Sequence, residues 1–473
     1  MDKGIVAAQK AQPEMQYQNR ALTFLHLSDI HFRHRAGSST QFDLEAQLRK
    51  PLLDDIVSKP ANGASYDGLF ITGDIAFSGK KEEYEKAKNW LEEVYGKTDL
   101  LPERTYVIPG NHDVNREMVP AGGAIWNNHA ALRAEQNRVI RRDLLLTQLS
   151  KDPACDPLAP LNWFNEFAQR YNCRTSKEKL AWTDVFPLPL NDGSLLRLHG
   201  LNSAINSDED DDVSKLYVSP FQTQQLSRDA SVTDLILCHH PPHWLLDMVD
   251  VDSALKSYAR VALFGHEHNH RMQRVDNTVQ LFAGAVHPAA RDPDWLPTYH
   301  ILQLSVEGSG KNRKLIVRIF SRELRATEHL FVARMAPDNR AFDERNVELP
   351  EWQSPSRIPM AISGEPGVYS GQDAMMSEKG KIVETLATPA LRELIVYFHR
   401  LSTPLRYRIS TDLKLLRDGD DVPPQQQWDL VFKRAQEESL LGALWDAVAK
   451  FDSSFASRGN PFKTQNATTT PSH

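Results

Sequence analysis

The chain has 473 residues, more than one core usually covers, so two domains are expected. Hydrophobic content of 41% and 28 prolines suit a globular protein with substantial loops, and 55 basic against 62 acidic residues leave a net charge of −7. That balance argues against a chain that grips nucleic acid over its whole surface. No run approaches 18 uninterrupted apolar residues, so no membrane span is expected. Residues 1–20 are polar, with no secretory core, and read as a flexible leader. Cys155, Cys173 and Cys238 make neither a disulfide framework nor a zinc-type spacing, which points to reduced thiols and a cytoplasmic location.

In chain order, the first strand is Leu22 to Leu27, leading into Ser28-Asp29-Ile30-His31. Gln41 to Ser58 has Leu44, Leu48, Leu52, Leu53 and Ile56 at roughly helical spacing, broken or kinked at Pro51. Leu69 to Ile71 is a buried strand running through Thr72 into Gly73 and Asp74, where glycine lets the backbone turn sharply. A helix opens near Ser78 to Glu85, buries Tyr84, Ala87, Leu91 and Val94, and stops at Gly96. Strand, helix, strand in this order implies parallel pairing with right-handed crossovers. Thr105 to Ile108 leads into Gly110-Asn111-His112-Asp113.

The long segment before the next ligand-type residue is expected to form a helical cap at residues 114–194, with helices over Ala124 to Ser150 and Leu161 to Tyr171. Leu195 to Leu201 returns to the sheet. The run Asp208 to Asp212 lacks the glycine and spaced ligands of a calcium loop and reads as an exposed acidic loop. Leu235 to Cys238 leads into His239-His240-Pro241, and Val261 to Phe264 into Gly265-His266-Glu267-His268. Val279 to Ala283, Tyr299 to Leu304 and Leu315 to Phe320 suggest an antiparallel finish to a second sheet. Residues 346–383 are linker-like in Pro, Gly and Ser. Stripes at Leu391, Leu394, Ile395 and Phe398, then Trp428, Val431, Phe432 and Ala435, then Leu440 to Phe451 point to a small all-α domain at 384–455. Residues 456–473 read as a disordered tail, so the Asn466-Ala467-Thr468 sequon carries no weight.

Five strand ends thus present Asp, His and Asn, the oxygen and imidazole donors that divalent transition metals accept. The set Asp29-x-His31, Gly73-Asp74, Gly110-Asn111-His112-Asp113, His239-x-Pro241 and Gly265-His266-x-His268 resembles the calcineurin-like metallophosphoesterase superfamily over roughly residues 20 to 322. The resemblance implies an α/β fold, a two-sheet αββα sandwich with a helical insertion, over residues 21–345. It further implies two divalent cations, manganese, iron or zinc, with a nitrogen and oxygen donor set that suits magnesium poorly. Asp29, His31, Asp74 and His268 would hold one; Asp74, Asn111, His239 and His266 the other, with Asp74 shared. His112 would be the general acid, oriented by Asp113.

Such a centre stays net positive and suits an anionic phosphate ester, attacked by hydroxide generated between the cations. His239-His240-Pro241-Pro242 most resembles the branch that includes class III cyclic-nucleotide phosphodiesterases. That implies a phosphodiesterase, with a cyclic nucleotide as a candidate substrate. A nuclease on DNA or RNA, disfavoured by the acidic charge, and a phosphomonoesterase or protein phosphatase are the alternatives. A scaffold without activity is disfavoured because every ligand position is filled. His240 reads as a neighbour, His243 and His270 as wall or solvated residues. Arg33 and Arg116 are candidates for a bidentate phosphate clamp or for surface ion pairs. Residues 384–455, with Leu415-Leu416-Arg417-Asp418 and the Trp428 helix, resemble death-fold-like adaptor domains. That implies a protein partner or self-association, with a helical lid or dimerisation element as the alternative.

Overall fold

The computed structural model describes residues 20–34, 46–59, 61–150, 156–287 apart from 225 and 227, and 296–352 apart from 326. In the C-terminal part it describes 389–401, 403–417, 427–451, 455 and 459–462. The expected leader, most of the linker and most of the tail lie outside these residues. The chain divides into two compact units on either side of residue 360.

The first unit holds two mixed sheets. In one, β1 (Leu22–Leu27), β2 (Gly68–Thr72) and β3 (Thr105–Ile108) run parallel, and all their residues are buried. In the other, β4 (Trp182–Val185), β5 (Leu195–Gly200), β6 (Val232–Leu237) and β7 (Val261–Phe264) are followed by the hairpin β8 (Arg271–Val275) and β9 (Thr278–Phe282), in the order β4-β5-β6-β7-β9-β8. β5, β6, β7 and β9 are parallel neighbours. β10 (Thr298–Glu307), β11 (Lys314–Arg325), β12 (Leu330–Ala333) and β13 (Asp343–Glu348) complete the first sheet.

The closing strands correct the sequence reading. β10 and β11 are antiparallel, but β10 pairs with β1 and so extends the first sheet, whereas β9 lies parallel to β7 in the second. Alternation reports which faces are covered and carries no signal for which distant strand is the neighbour.

The continuous apolar runs have a direct cause. In β6, Leu235 and Leu237 join the core that also holds Phe24, Leu25 and Ile301, while Ile236 joins a second core with Val251 and Leu255 of a helix. Val261 and Leu263 of β7 divide from Ala262 and Phe264 in the same way. Strands covered on both faces cannot alternate.

The helices are α1 (Ala46–Val57), with Pro51 inside one continuous element, α2 (Lys81–Lys97), α3 (Ala124–Ala134), α4 (Arg138–Ser150), α5 (Asn162–Gln169), the short α6 (Pro220–Thr223) and α7 (Met248–Tyr258). The expected helical cap at 114–194 also contains β4, antiparallel to β5, a strand the sequence reading did not foresee. Asp208 is buried rather than exposed. Its carboxylate accepts from His129 Nδ1 (2.9 Å) and Arg133 Nη1 (2.9 Å), and Asp210 accepts from Trp126 Nε1 (3.2 Å). The acidic run ties α3 to the loop after β5.

The second unit contains α8 (Pro389–Arg400), α9 (Thr403–Asp412), α10 (Gln427–Glu437) and α11 (Leu441–Ala449). Leu394, Phe398, Val431, Leu444, Trp445 and Phe455 are at its centre.

Candidate metal centre

The carboxyl ends of β1, β2 and β3 in one sheet and of β6 and β7 in the other carry Asp29 and His31, Asp74, Asn111, His239, and His266 with His268. All seven come together. His268 Nε2 is 3.2 Å from Asp29 Oδ1, and His31 Nε2 is 3.9 Å from Asp74 Oδ2. His239 Nε2 is 3.4 Å from Asp74 Oδ2 and 3.3 Å from Asn111 Oδ1; His266 Nδ1 is 3.1 Å from the same amide oxygen. Groups with metal-binding separations include Asp29, His31 and His268, and also Asp29, Asp74 and His239.

The local backbone explains why these residues converge. Asp29, His31, Asp74, His266 and His268 all have positive φ, between 52° and 69°, a region non-glycine residues rarely occupy. Such strain persists only where the surroundings enforce it. Gly73 has φ 92°, and a Cβ there would stand 2.5 Å from His239 Nδ1. Gly110 has ordinary φ but no room: a Cβ would stand 2.1 Å from Asp74 Oδ1.

The donor chemistry fits a cation. His239 Nδ1 donates to the Thr72 carbonyl (2.7 Å), so the neutral ring presents a lone pair at Nε2 to two acceptor oxygens. Only a proton or a metal makes that arrangement attractive. With a proton, burial would lower His239, but the charge and hydrogen bond of Asp74, the Asp29 charge and the Thr72 carbonyl together outweigh it and raise the imidazole to about 9. Burial would raise Asp74, yet the charges of His239 and His112 hold it well below the usual carboxylate range. Asp29 behaves alike, held at about 2 against its burial by His268. Burial lowers His31 and His266 to about 3, keeping their rings neutral and able to donate a lone pair.

His112 lies beside this cluster, its ring 4.7 Å from that of His31. Its backbone N–H donates to Asp74 Oδ1 (2.8 Å) and its Nδ1 to the Phe77 carbonyl (2.8 Å). The Phe77 ring stacks on it at 5.2 Å, with the Arg33 guanidinium 4.0 Å from the same ring. Asp113 therefore has a different job from the orienting one expected. Its carboxylate accepts from Gly110 N (2.9 Å), Ala76 N (2.9 Å) and Tyr84 Oη (2.8 Å), stapling the Asp74 loop to the Asn111 loop. Burial and the Asp74 charge push it up to about 7.

Of the three further histidines His240, His243 and His270, one differs from expectation. His240 is fully buried and grouped with His239 and His266. His270 is neither wall nor solvated: it is buried, 3.2 Å from Ser321 Oγ and stacked on His300. His243 pairs with Glu267 (2.8 Å) at the surface. Arg116 stands 4.0 Å from Asp211. The Phe77 contact had no sequence signal, because a backbone carbonyl belongs to every residue type. Trp244 packs edge-on against His266 (4.1 Å between ring centroids), and only its place after His239-His240-Pro241-Pro242 hinted at that.

Comparison with known proteins agrees with this arrangement. The profile of the family described as calcineurin-like phosphoesterase matches residues 22–270. A curated relative, an uncharacterized metallophosphoesterase-like protein YydB of Bacillus subtilis (strain 168), is 28% identical over 95 residues, 20% of this chain and 18% of its own length. The chain thus spans less than a fifth of that relative. Among solved structures, Chaetomium thermophilum Vps29 is 10% identical, with 70% of this chain and all of that one covered at a TM-score of 0.29. A putative 5'-nucleotidase from Staphylococcus aureus is 10% identical, with 72% and 56% covered at 0.31. Likeness at this level says nothing about substrate. More than half of the chain matches the family profile, and it carries the donor residues at five strand ends; it belongs to the calcineurin-like phosphoesterase family, hydrolases of phosphoric esters that use divalent metals.

Proposed function

We propose that the chain is a dinuclear metal-dependent phosphodiesterase. Asp29, His31, Asp74 and His268 hold one divalent cation; Asp74, Asn111, His239 and His266 hold the second. The observation that carries the reading is the convergence of imidazole nitrogens on buried carboxylate and amide oxygens at five strand ends, a donor set that suits divalent cations held between its members. What two divalent cations supply there is Lewis acidity toward the phosphoryl oxygens and a water acidic enough to attack near neutral pH.

The chain's own residues do the rest. His112 is the general acid. Its Nδ1 proton is committed to the Phe77 carbonyl, which leaves Nε2 to pass a proton to the departing alkoxide. Stacking on Phe77 keeps the ring from rotating away. Asp113 holds the two ligand loops at a fixed separation. Manganese, iron or zinc suits the thiolate-free nitrogen and oxygen set. The diester assignment rests on the resemblance of His239-His240-Pro241-Pro242 to the class III cyclic-nucleotide phosphodiesterases, which makes a cyclic nucleotide the first substrate to try. Residues 384–455 are proposed to bind a protein partner or a second copy.

The test is a substrate panel on the metal-loaded chain: bis-(p-nitrophenyl) phosphate, cyclic AMP, p-nitrophenyl phosphate and a labelled oligonucleotide, with metal counted per chain. Two metals and faster turnover of the small diesters are expected. A faster monoester makes the chain a phosphatase, and oligonucleotide cleavage ahead of both makes it a nuclease.

A further inference from the structure

His240 is as deeply buried as the ligands around it, and no ligand role has been given to it above. Its backbone N–H donates to Ser203 Oγ (3.2 Å), and its Nδ1 lies 2.8 Å from that same oxygen. Its Nε2 lies 3.2 Å from Asn111 Oδ1. These contacts assign the protons. Asn111 Oδ1 can only accept, so the neutral ring carries its hydrogen on Nε2, and Ser203 Oγ, which accepts the backbone N–H, donates its own proton to Nδ1. That hydrogen points at Asn111 Oδ1.

An amide oxygen has two lone pairs. On Asn111, one is engaged by His240; the other faces His239 Nε2 and His266 Nδ1, where the second cation is placed. The opposite end of the same amide is an NH2 group, which repels a cation. We propose that His240, held by Ser203, is a positioning residue that turns the oxygen end of Asn111 toward the second cation. The proposal rests on the reading of Asn111 as a ligand. Ser203 is itself well fixed: it lies in the segment after β5 that ends at Asp208, which His129 and Arg133 of α3 hold. The insertion thereby supports the second half of the metal centre through a backbone segment and one hydrogen-bonded pair.

The experiment is calorimetric titration of the metal-free full-length chain with manganese(II), for wild type, His240→Phe, His240→Gln, Ser203→Ala, Asn111→Ala and the His240→Phe/Asn111→Ala double variant. Wild type is expected to take two cations. His240→Phe should weaken one binding step about 10- to 100-fold, the usual cost of losing a group that orients a ligand, and leave the other step unchanged. His240→Gln, whose amide can still donate to Asn111, should recover most of the loss, and Ser203→Ala should lose less than His240→Phe in the same step. In the double variant His240→Phe should add nothing, because the group it orients is gone. Unchanged affinity in His240→Phe overturns the proposal. So does a loss that adds to that of Asn111→Ala, which would make His240 a ligand in its own right. If His240→Phe fails to fold by its metal-free melting curve, Ser203→Ala decides, and unchanged affinity there overturns the proposal as well. A wild-type chain that takes fewer than two cations defeats the dinuclear reading itself, a result separable from all of these.

Discussion

The two compact units bury opposite things. Among the described residues of the C-terminal unit, the core is Leu394, Phe398, Val431, Leu444, Trp445, Phe455 and similar side chains, and Ser410 is the buried polar residue. In the metal centre, Asp29, His31, Asp74, Asp113, His239 and His240 are all no more than 2% exposed. An apolar core accounts for its own stability and asks for nothing else. Buried carboxylates and imidazoles cost several kcal/mol each unless paired, and here three of them, Asp29, His31 and Asp74, also stand in left-handed backbone. A fold tolerates such concentrated violations where a ligand repays them, which is why the first unit discloses its chemistry and the second does not.

The strongest way to break that contrast is to remove the group the centre shares. Asp74→Ala takes one negative charge from between two cations and opens their mutual repulsion. Metal content should fall to one ion per chain or fewer, and diester turnover by more than about 10³-fold. Two retained metals with near-normal turnover would mean that the buried carboxylate is structural. His112→Ala comes next. It should keep both metals and lose roughly 10²- to 10⁴-fold on esters with alkoxide leaving groups, the range for a general acid. The loss should shrink on bis-(p-nitrophenyl) phosphate, whose phenolate leaves with little help. Equal losses on both substrates would assign His112 to phosphate positioning.

Leu444→Ala probes the other side of the comparison. Leu444 is fully buried in the C-terminal core, so the truncation should cost about 2–5 kcal/mol there. Turnover of small diesters should not change, because every proposed ligand lies between Asp29 and His268. A separate, earlier unfolding step with unaltered activity is the expected record. A fall in activity with metal content intact would show that the helical unit completes the site.

What could be read beforehand follows the same division. β1, β3 and β7 were legible to the residue, because continuous apolar runs ending in donors have few other readings. β8, β12 and β13 were not: they are short or polar and held by strand pairing rather than by burial of a periodic face. The donors Asp29, Asp74 and His268 announced themselves by type and spacing. The contacts that hold His112 and His240 did not, since Phe77 acts through its carbonyl and Ser203 through a loop whose course depends on Asp208 meeting α3. His270 was misread because its partners, Ser321 and His300, are brought to it by β11 and β10 from the opposite sheet.

That misread residue belongs to a row of buried histidines with a measurable consequence. His26 Nε2 lies 2.9 Å from Thr72 Oγ1, and His300 accepts the Gly284 N–H at Nε2 (3.0 Å). Burial lowers His26 to about 3, with Asp29 opposing and His270 adding; burial, His270, His26 and Arg334 hold His300 well below its ordinary value. Both rings are neutral in the fold, so between pH 6.5 and 3 the unfolded chain binds more protons. The contribution of these two rings to the stability of the metal-free protein is therefore fully present above pH 6.5 and falls as the pH drops, by about 1.4 kcal/mol per unit for each histidine. Carboxylates held low, such as Asp29, contribute only below about pH 4, whereas Asp113, raised to about 7 by burial and the Asp74 charge, contributes in the opposite sense, its part growing as the pH falls below 7. In melting curves at pH 7.5, 6.5 and 5.5, His26→Gln, which keeps a partner for Thr72 but cannot titrate, should gain on wild type as the pH falls. The same slope in His26→Gln would remove His26 from the account.

The smallest expected effect is a gain, and it comes from one residue type placed in both units. At Gly110 an added Cβ would meet Asp74 Oδ1 at 2.1 Å, so the absent side chain is part of the metal centre. At Gly442, in the first turn of α11, the nearest atom to an added Cβ is that of Phe462 at 3.5 Å, an ordinary contact. No positive φ is required there either. Glycine in that helix only adds conformational entropy to the unfolded chain. Gly442→Ala should therefore stabilise the helical unit by about 0.5 kcal/mol, read as a small rise in the melting temperature of its transition, with metal binding and turnover unchanged. A fall in that melting temperature would mean that Phe462 cannot yield and that the packing around α11 is as exacting as that around Asp74.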